Sequence, residues 1–324
     1  MVTIVHVENV LYKKTTLRSF CKDIAINTGL MNKQNINWFD FNSKVKLIFS
    51  VWGRSTDIPN ADVIIATAWQ TATLVFNLPT VKGKKFYFIQ HYEIQHGHKD
   101  EVDETWKLPM VKIVVATWLN GVGRRLGVRS EIVRNFVDTT EYYVNNKFTD
   151  RNASISMLYH SEKWKGSEEG IEVINRILEI YPSIEVRLFG VPNRPKYLDD
   201  RILYYQDASS ETLRNEVYNK TSIFIFPSHK EGWGLTATEA MLCGNALVAT
   251  KNGGVSDFGI EGQTALLSNV GDVEELTRNV LRLIKDQNLR KKMQKNAVAL
   301  ISNYTINKST EKFISILSRG GSNE

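Results

Sequence analysis

Two carboxylates, Glu231 and Glu239, stand eight residues apart in the stretch Phe226-Pro-Ser-His-Lys-Glu-Gly-Trp-Gly-Leu-Thr-Ala-Thr-Glu-Ala-Met-Leu-Cys-Gly244. An apolar run, Ile223 to Phe226, precedes them and another, Ala246 to Ala249, follows. The pattern predicts strand, Gly-rich loop, short helix, strand, with Glu231 in the loop and Glu239 in the first turn of the helix. A loop entering a helix from a strand presents unpaired backbone N–H groups and the positive end of the helix dipole, which suits phosphate. Ionised carboxylates beside such a site suit sugar hydroxyls, because they are strong acceptors that orient O–H donors. A plainer account exists for each acid. Thr236 and Glu239 have the spacing of a capping box, and Glu231 reads equally as a solvated loop residue. The glycines Gly232 and Gly234 between the acids favour the chemical reading of the pair.

The elements that must position these acids form two alternating series. In the first half, Val2 to Val7, Val45 to Val51, Ala61 to Ala66, Lys85 to Gln90, Lys112 to Ala116 and Ser130 to Arg134 read as strands, with helices at Thr15 to Ile26 and Thr117 to Leu126. In the second half, strands at Ser154 to Tyr159, Ile184 to Phe189, Ile202 to Tyr205 and Ser222 to Phe226 alternate with helices at Ser167 to Ile180 and Glu211 to Asn219. Such alternation argues for parallel sheets of βαβ units, and near-continuous apolar strands fit burial on both faces. The polar stretch Asp138 to Asn152 reads as a linker. Beyond the second sheet, Asp272 starts a helix, and a last helix covers Ser309 to Ser318. No Gly-x-Gly-x-x-Gly follows the first strand, and there is neither a P-loop nor a His/Cys metal cluster.

Composition sets outer bounds. At 324 residues, with 42% hydrophobic and 23% charged residues, a soluble protein of two domains is expected. No window has the apolar length of a membrane span, and Met1-Val-Thr-Ile-Val-His-Val-Glu8 lacks the basic start of a signal peptide, so a cytoplasmic protein is expected. Cys21 and Cys243 are too few and too far apart for a disulfide framework, and read as buried thiols. The formal charge of +6 permits attraction to phosphates without choosing among them. Aromatics do not interleave with a basic stripe, so a nucleic-acid partner is not expected. Lys13, Lys14 and Arg18, with Arg124, Arg125 and Arg129, would suit peripheral contact with anionic membrane or serve as solvated faces.

The segment Pro-Ser-x-x-Glu-Gly-x-Gly-Leu-x-x-x-Glu-Ala-Met-x-x-Gly resembles the signature of retaining glycosyltransferases of family 4, in particular the surface-polysaccharide and rhamnosyl-like group. Lys165-Gly166, Asn135-Phe-Val-Asp138, Lys251-Asn-Gly-Gly254 and Gly271-Asp272 are similar to the family's flanking motifs, and Phe86-Tyr-Phe-Ile-Gln-His-Tyr-Glu93 to one of its middle strands. The resemblance implies an α/β protein of GT-B fold, with two Rossmann-like doubly wound parallel-sheet domains facing a cleft. Residues 1–145 would form the acceptor-side domain, completed by a C-terminal helix at 306–324, and residues 146–305 the nucleotide-sugar domain.

The resemblance also implies roles. Glu231 would contact the donor sugar's hydroxyls beside the backbone N–H groups of Trp233, Gly234 and Leu235. Glu239 would hold the ribose, Lys165 the diphosphate with Thr236 as a second contact, and His91 would face the sugar. Where many relatives carry a phosphate-gripping Arg, this chain has His160, and Lys163 or a protonated His160 would compensate. The Gly-Gly turn expected after the first strand is absent, and the first domain is short for the family. The implied activity is metal-independent, cofactor-free transfer of a sugar from a nucleotide-diphosphate donor to a hydroxyl of a glycan or lipid-linked acceptor. A non-catalytic partner or chaperone of the same fold, and a sugar-nucleotide epimerase, remain as alternatives.

Overall fold

The computed structural model describes residues 1–8, 41–95, 97–145 and 147–319. The expected helix at Thr15 to Ile26, with Lys13, Lys14, Arg18 and Cys21, lies outside the described residues, as does most of the first-strand turn. Two compact units are present. The first comprises Met1–Ile113, Arg125–Glu131 and Leu317–Glu324; the second comprises Val114–Arg124 and Ile132–Ile316.

In the first unit, β1 (Val2–Val7) pairs in parallel with β2 (Val45–Ser50). Strands β3 (Val63–Ala66), β4 (Lys84–Ile89), β5 (Val111–Val114) and β6 (Ser130–Ile132) form a four-stranded sheet in that order. Helices α1 (Trp69–Asn77) and α2 (Lys99–Lys107) lie between its strands, and α3 (Thr117–Arg125), which follows β5 in the chain, belongs up to Arg124 to the second unit. The first two were not read from the sequence.

The second unit is built on a six-stranded sheet of β7 (Ser154–Leu158), β8 (Glu185–Gly190), β9 (Ile202–Gln206), β10 (Ile223–Phe226), β11 (Ala246–Thr250) and β12 (Ala265–Ser268). The order is β12-β11-β10-β7-β8-β9, with every pairing parallel. The chain therefore winds outward through β8 and β9, then returns to the centre at β10 and winds the other way. Adjacent βα loops after β7 and β10 diverge at that switch point, where sheets of this kind hold ligands. All four residues of β10 are buried, as expected for a central strand covered on both faces.

Helix α4 (Ser167–Ile180) begins where Gly166 takes a left-handed conformation, φ +65°. Glu168 and Glu169 in its first turn oppose the helix dipole, while Ile171, Ile174, Ile177 and Leu178 bury one face. After β10 comes α5 (Leu235–Leu242). Helix α6 (Val273–Lys285) starts as expected, with the Asp272 carboxylate accepting from the Glu275 amide at 2.8 Å. Helices α7 (Gln287–Ile301) and α8 (Ile306–Arg319) complete the described chain. No helix among the described residues is long and apolar enough to cross a membrane. Cys243 is a buried free thiol.

Candidate active site

Lys165 and Glu231 meet at the switch point of the second unit. After β7, residues Lys163–Lys165 make one tight turn, and Gly166 lies so close to the Pro227 carbonyl that any side chain there would clash. The His229 amide donates to the Trp164 carbonyl at 2.8 Å, so the loops after β7 and β10 are fastened together. This brings Nζ of Lys165 to 2.8 Å from Oε1 of Glu231. The ammonium also sits 4.2 Å from the centroid of the Trp164 ring, a cation–π contact. Glu231 is only 8% exposed, so its charge needs that partner. Its own amide donates to the Asn252 carbonyl at 3.0 Å, and it forms an isolated parallel bridge with Gly253.

Gly234 caps α5 with φ +115°, and its lack of a side chain admits the Phe226 ring. Behind it, Trp233 is 3% exposed and stacks near Phe258 and Tyr304, each at 5.4 Å between centroids. Its side chain therefore belongs to the core, and what it can offer a ligand is its backbone. Leu235 and Thr236 open the helix, Leu235 exposed and Thr236 half-buried.

The capping-box account of Glu239 does not hold. With Gly234 as the cap, Thr236 is the second helical residue and Glu239 the fifth, in the second turn rather than the first. The Glu239 carboxylate instead accepts from the Tyr218 hydroxyl at 3.1 Å through Oε2. Tyr218 is fully buried at the end of a π turn, Leu213–Tyr218, that follows the short helix Ser210–Thr212. Its ring packs against Phe189, Phe224 and Tyr142. Burial pushes the Glu239 carboxyl up to about 7, opposed in part by the Tyr218 hydrogen bond. Tyr218 was not read from the sequence, since nothing local marks a tyrosine 21 residues upstream as a partner.

His160 donates its amide to Ser167 Oγ at 2.9 Å, and its Nδ1 accepts from the Glu162 amide at 3.0 Å. That bond assigns the ring proton to Nε2. Burial, and then the neighbouring charge of Lys165, hold the imidazole below its ordinary value. At neutral pH it is therefore a neutral donor, so compensation by a protonated His160 is not the resting arrangement. His160 and Lys163 line a cavity of about 180 Å³ with Tyr159, Ser167, Tyr197 and His229. His229 Nε2 lies 2.6 Å from Glu169 Oε1 at its wall.

Lys165, Glu231, Trp233, Gly234, Leu235, Thr236, Glu239, His160 and Lys163 thus all lie in the second unit. His91 is half-buried just beyond β4, in the first. The neighbouring loop is fixed by Glu93, which accepts from the Trp69 amide at 2.9 Å, and by Tyr92, which donates to Asp103 at 2.5 Å.

Two units, each with parallel strands joined through helices, define the GT-B fold, and comparison with solved structures agrees. HepE from Anabaena, solved with UDP and glucose, superposes with a TM-score of 0.72 at 15% identity, over 98% of this chain and 100% of that one. Sucrose-phosphate synthase from Thermosynechococcus elongatus gives 0.72 at 14% identity, over 98% and 99%. Residues 140–299, just under half of the chain, match the family model for glycosyl transferases group 1. Among curated relatives, N-acetyl-alpha-D-glucosaminyl L-malate synthase of Bacillus anthracis is 25% identical over 185 residues, 52% of this chain and 47% of that protein. The chain spans about half the length of the curated relatives it matches.

Proposed function

We propose that this chain is a retaining glycosyltransferase that moves a sugar from a nucleotide-diphosphate donor to a hydroxyl of a glycan or lipid-linked acceptor, without a metal. The observation that carries the reading is the Lys165–Glu231 pair, a cation and a carboxylate fastened side by side at the switch point of the family-matched segment. Lys165 would meet the charge that grows on the diphosphate as the anomeric C–O bond breaks, which lowers the barrier more than it strengthens ground-state binding. The electron pair leaves with the phosphate oxygen. The acceptor oxygen then forms the new bond on the same face and passes its proton to the departing phosphate.

Glu231 would hold sugar hydroxyls and Glu239 the ribose, while the amides of Trp233, Gly234 and Leu235 would contact the donor. His160 Nε2–H, Lys163 and Thr236 would add phosphate contacts. His91 would contact the sugar. The relatives' own names, a glucosaminyl malate synthase and a protein solved with UDP and glucose, support a nucleotide-sugar donor. Exposed Arg124, Arg125 and Arg129 would suit a lipid-linked acceptor at an anionic surface, which flotation with anionic vesicles tests.

The direct experiment is a thermal-shift screen across UDP-, GDP-, dTDP- and ADP-sugars, followed by an assay of donor hydrolysis and transfer. A bound donor raises apparent stability by mass action. Product with the anomeric configuration of the donor supports the reading. A chain that stabilises with no nucleotide sugar and turns none over refutes it.

A further inference from the structure

We propose that Trp118, at the start of α3, is a positioning residue for Glu231: its indole fastens together the two loops whose bridge orients that carboxylate. The indole Nε1–H donates to the Gly232 carbonyl at 2.9 Å, one residue from Glu231. The same ring lies against Gly253, where a side chain would approach it to 3.0 Å, and Gly253 has φ +90°, a conformation that favours glycine. Glu231 and Gly253 are the two members of the parallel bridge. One aromatic side chain therefore contacts both sides of that bridge, 114 residues away in sequence from the carbonyl it bonds.

The helix that carries Trp118 is itself anchored to the loop after β11. Asp257 accepts from the Thr117 amide and from the Thr117 hydroxyl, each at 2.7 Å, and from Arg134 Nε at 2.7 Å. These groups and Trp118 all belong to the second unit. Asp257 thus fixes the first turn of α3, the first turn fixes the indole, and the indole fixes the Glu231–Gly253 bridge. Trp118 acts on Glu231 through the backbone of Gly232.

The proposal rests on the reading of Glu231 as the sugar-facing acid, and the test separates the two. Trp118→Phe removes the N–H donor and keeps most of the ring on Gly253. Two readouts are made on the full chain, with its unfolding midpoint measured alongside to show that the variant folds. The first needs no activity: hydrogen exchange at the Glu231 amide should quicken by up to about tenfold, the factor expected from losing one net hydrogen bond. The second is kinetic: kcat should fall by at least about tenfold while the donor Kd stays within about twofold, because a small misplacement of a reacting group costs rate more than binding. Unchanged exchange at Glu231 overturns the proposal, as does an unchanged kcat in an active enzyme. A wild-type chain that turns over no nucleotide sugar refutes the functional reading instead, and the exchange measurement still decides whether Trp118 fastens the bridge.

Discussion

Glu231 Oε1 and Lys165 Nζ are 2.8 Å apart, so the acid proposed to hold the sugar is the counter-ion of the lysine proposed to hold the diphosphate. A donor must therefore draw Lys165 toward phosphate while Glu231 turns its acceptor capacity to hydroxyls. The two variants separate these roles. Glu231→Gln should lower turnover by about a hundredfold or more, as for loss of a transition-state contact, with donor affinity held or raised because Lys165 has lost its competitor. Lys165→Ala should weaken both, and should also cost about 1–3 kcal/mol of stability by leaving a buried carboxylate unpaired. Steady-state kinetics with calorimetric donor binding checks the first, and urea unfolding the second. Full activity in Glu231→Gln would sink the assignment.

Glu239 titrates at about 7, above the ordinary carboxylate value of 4.5, because burial favours the neutral form. The sign of its effect on stability follows. The folded chain holds this proton more tightly than the unfolded chain, so the contribution is complete below pH 4.5 and is lost as pH rises through 7. Glu239→Gln should therefore gain stability over wild type at pH 8 and not at pH 4. Preference for a ribonucleotide over its 2′-deoxy form should run the other way, strengthening above pH 7 as the carboxylate ionises. Thermal unfolding and nucleotide titrations across pH 4 to 8 measure both.

His160 occupies a position where a guanidinium would present a planar fork to the diphosphate. Its neutral ring offers one donor from Nε2. His160→Arg should tighten binding of the nucleoside diphosphate several-fold and steepen its dependence on salt. Isothermal titration at two ionic strengths checks this, and unchanged affinity would show that residue 160 does not face the diphosphate.

If Lys165 and the loop amides meet the leaving-group charge alone, treatment with EDTA followed by gel filtration should leave turnover unchanged. Restoration of a lost activity by Mg²⁺ or Mn²⁺ would show that the diphosphate needs a metal.

Much of the second unit was legible because its strands and helices carry their own signals. Ile223-Phe-Ile-Phe226 is apolar throughout, and it is the strand covered on both faces. Ser167 to Ile180 has acids in its first turn and apolar residues at helical spacing, and it is that helix. Strand β12, Ala265-Leu-Leu-Ser268, was missed because it carries no β-branched or aromatic residue to set it apart from a loop or helix. The spacing of Thr236 and Glu239 misled because a capping box is defined by local separation, whereas the start of α5 is set by Gly234. There a left-handed backbone and the Phe226 ring, packed from the preceding strand, fix where the helix begins.

The sequence by itself determined the alternation of elements, the parallel sheets that follow from it, and the two acids of the 226–244 stretch as the place to look. Hydrophobic period and glycine placement are local properties, so one chain read in order contains them. The tertiary structure alone decided what those acids touch. Glu231 meets a lysine 66 residues before it, Glu239 a tyrosine 21 residues before it, and the loop between them an indole 114 residues before Gly232. Such partners are chosen by how the sheet brings loop ends together and by which buried charges and polar groups must be satisfied there, and spacing along the chain carries no record of either.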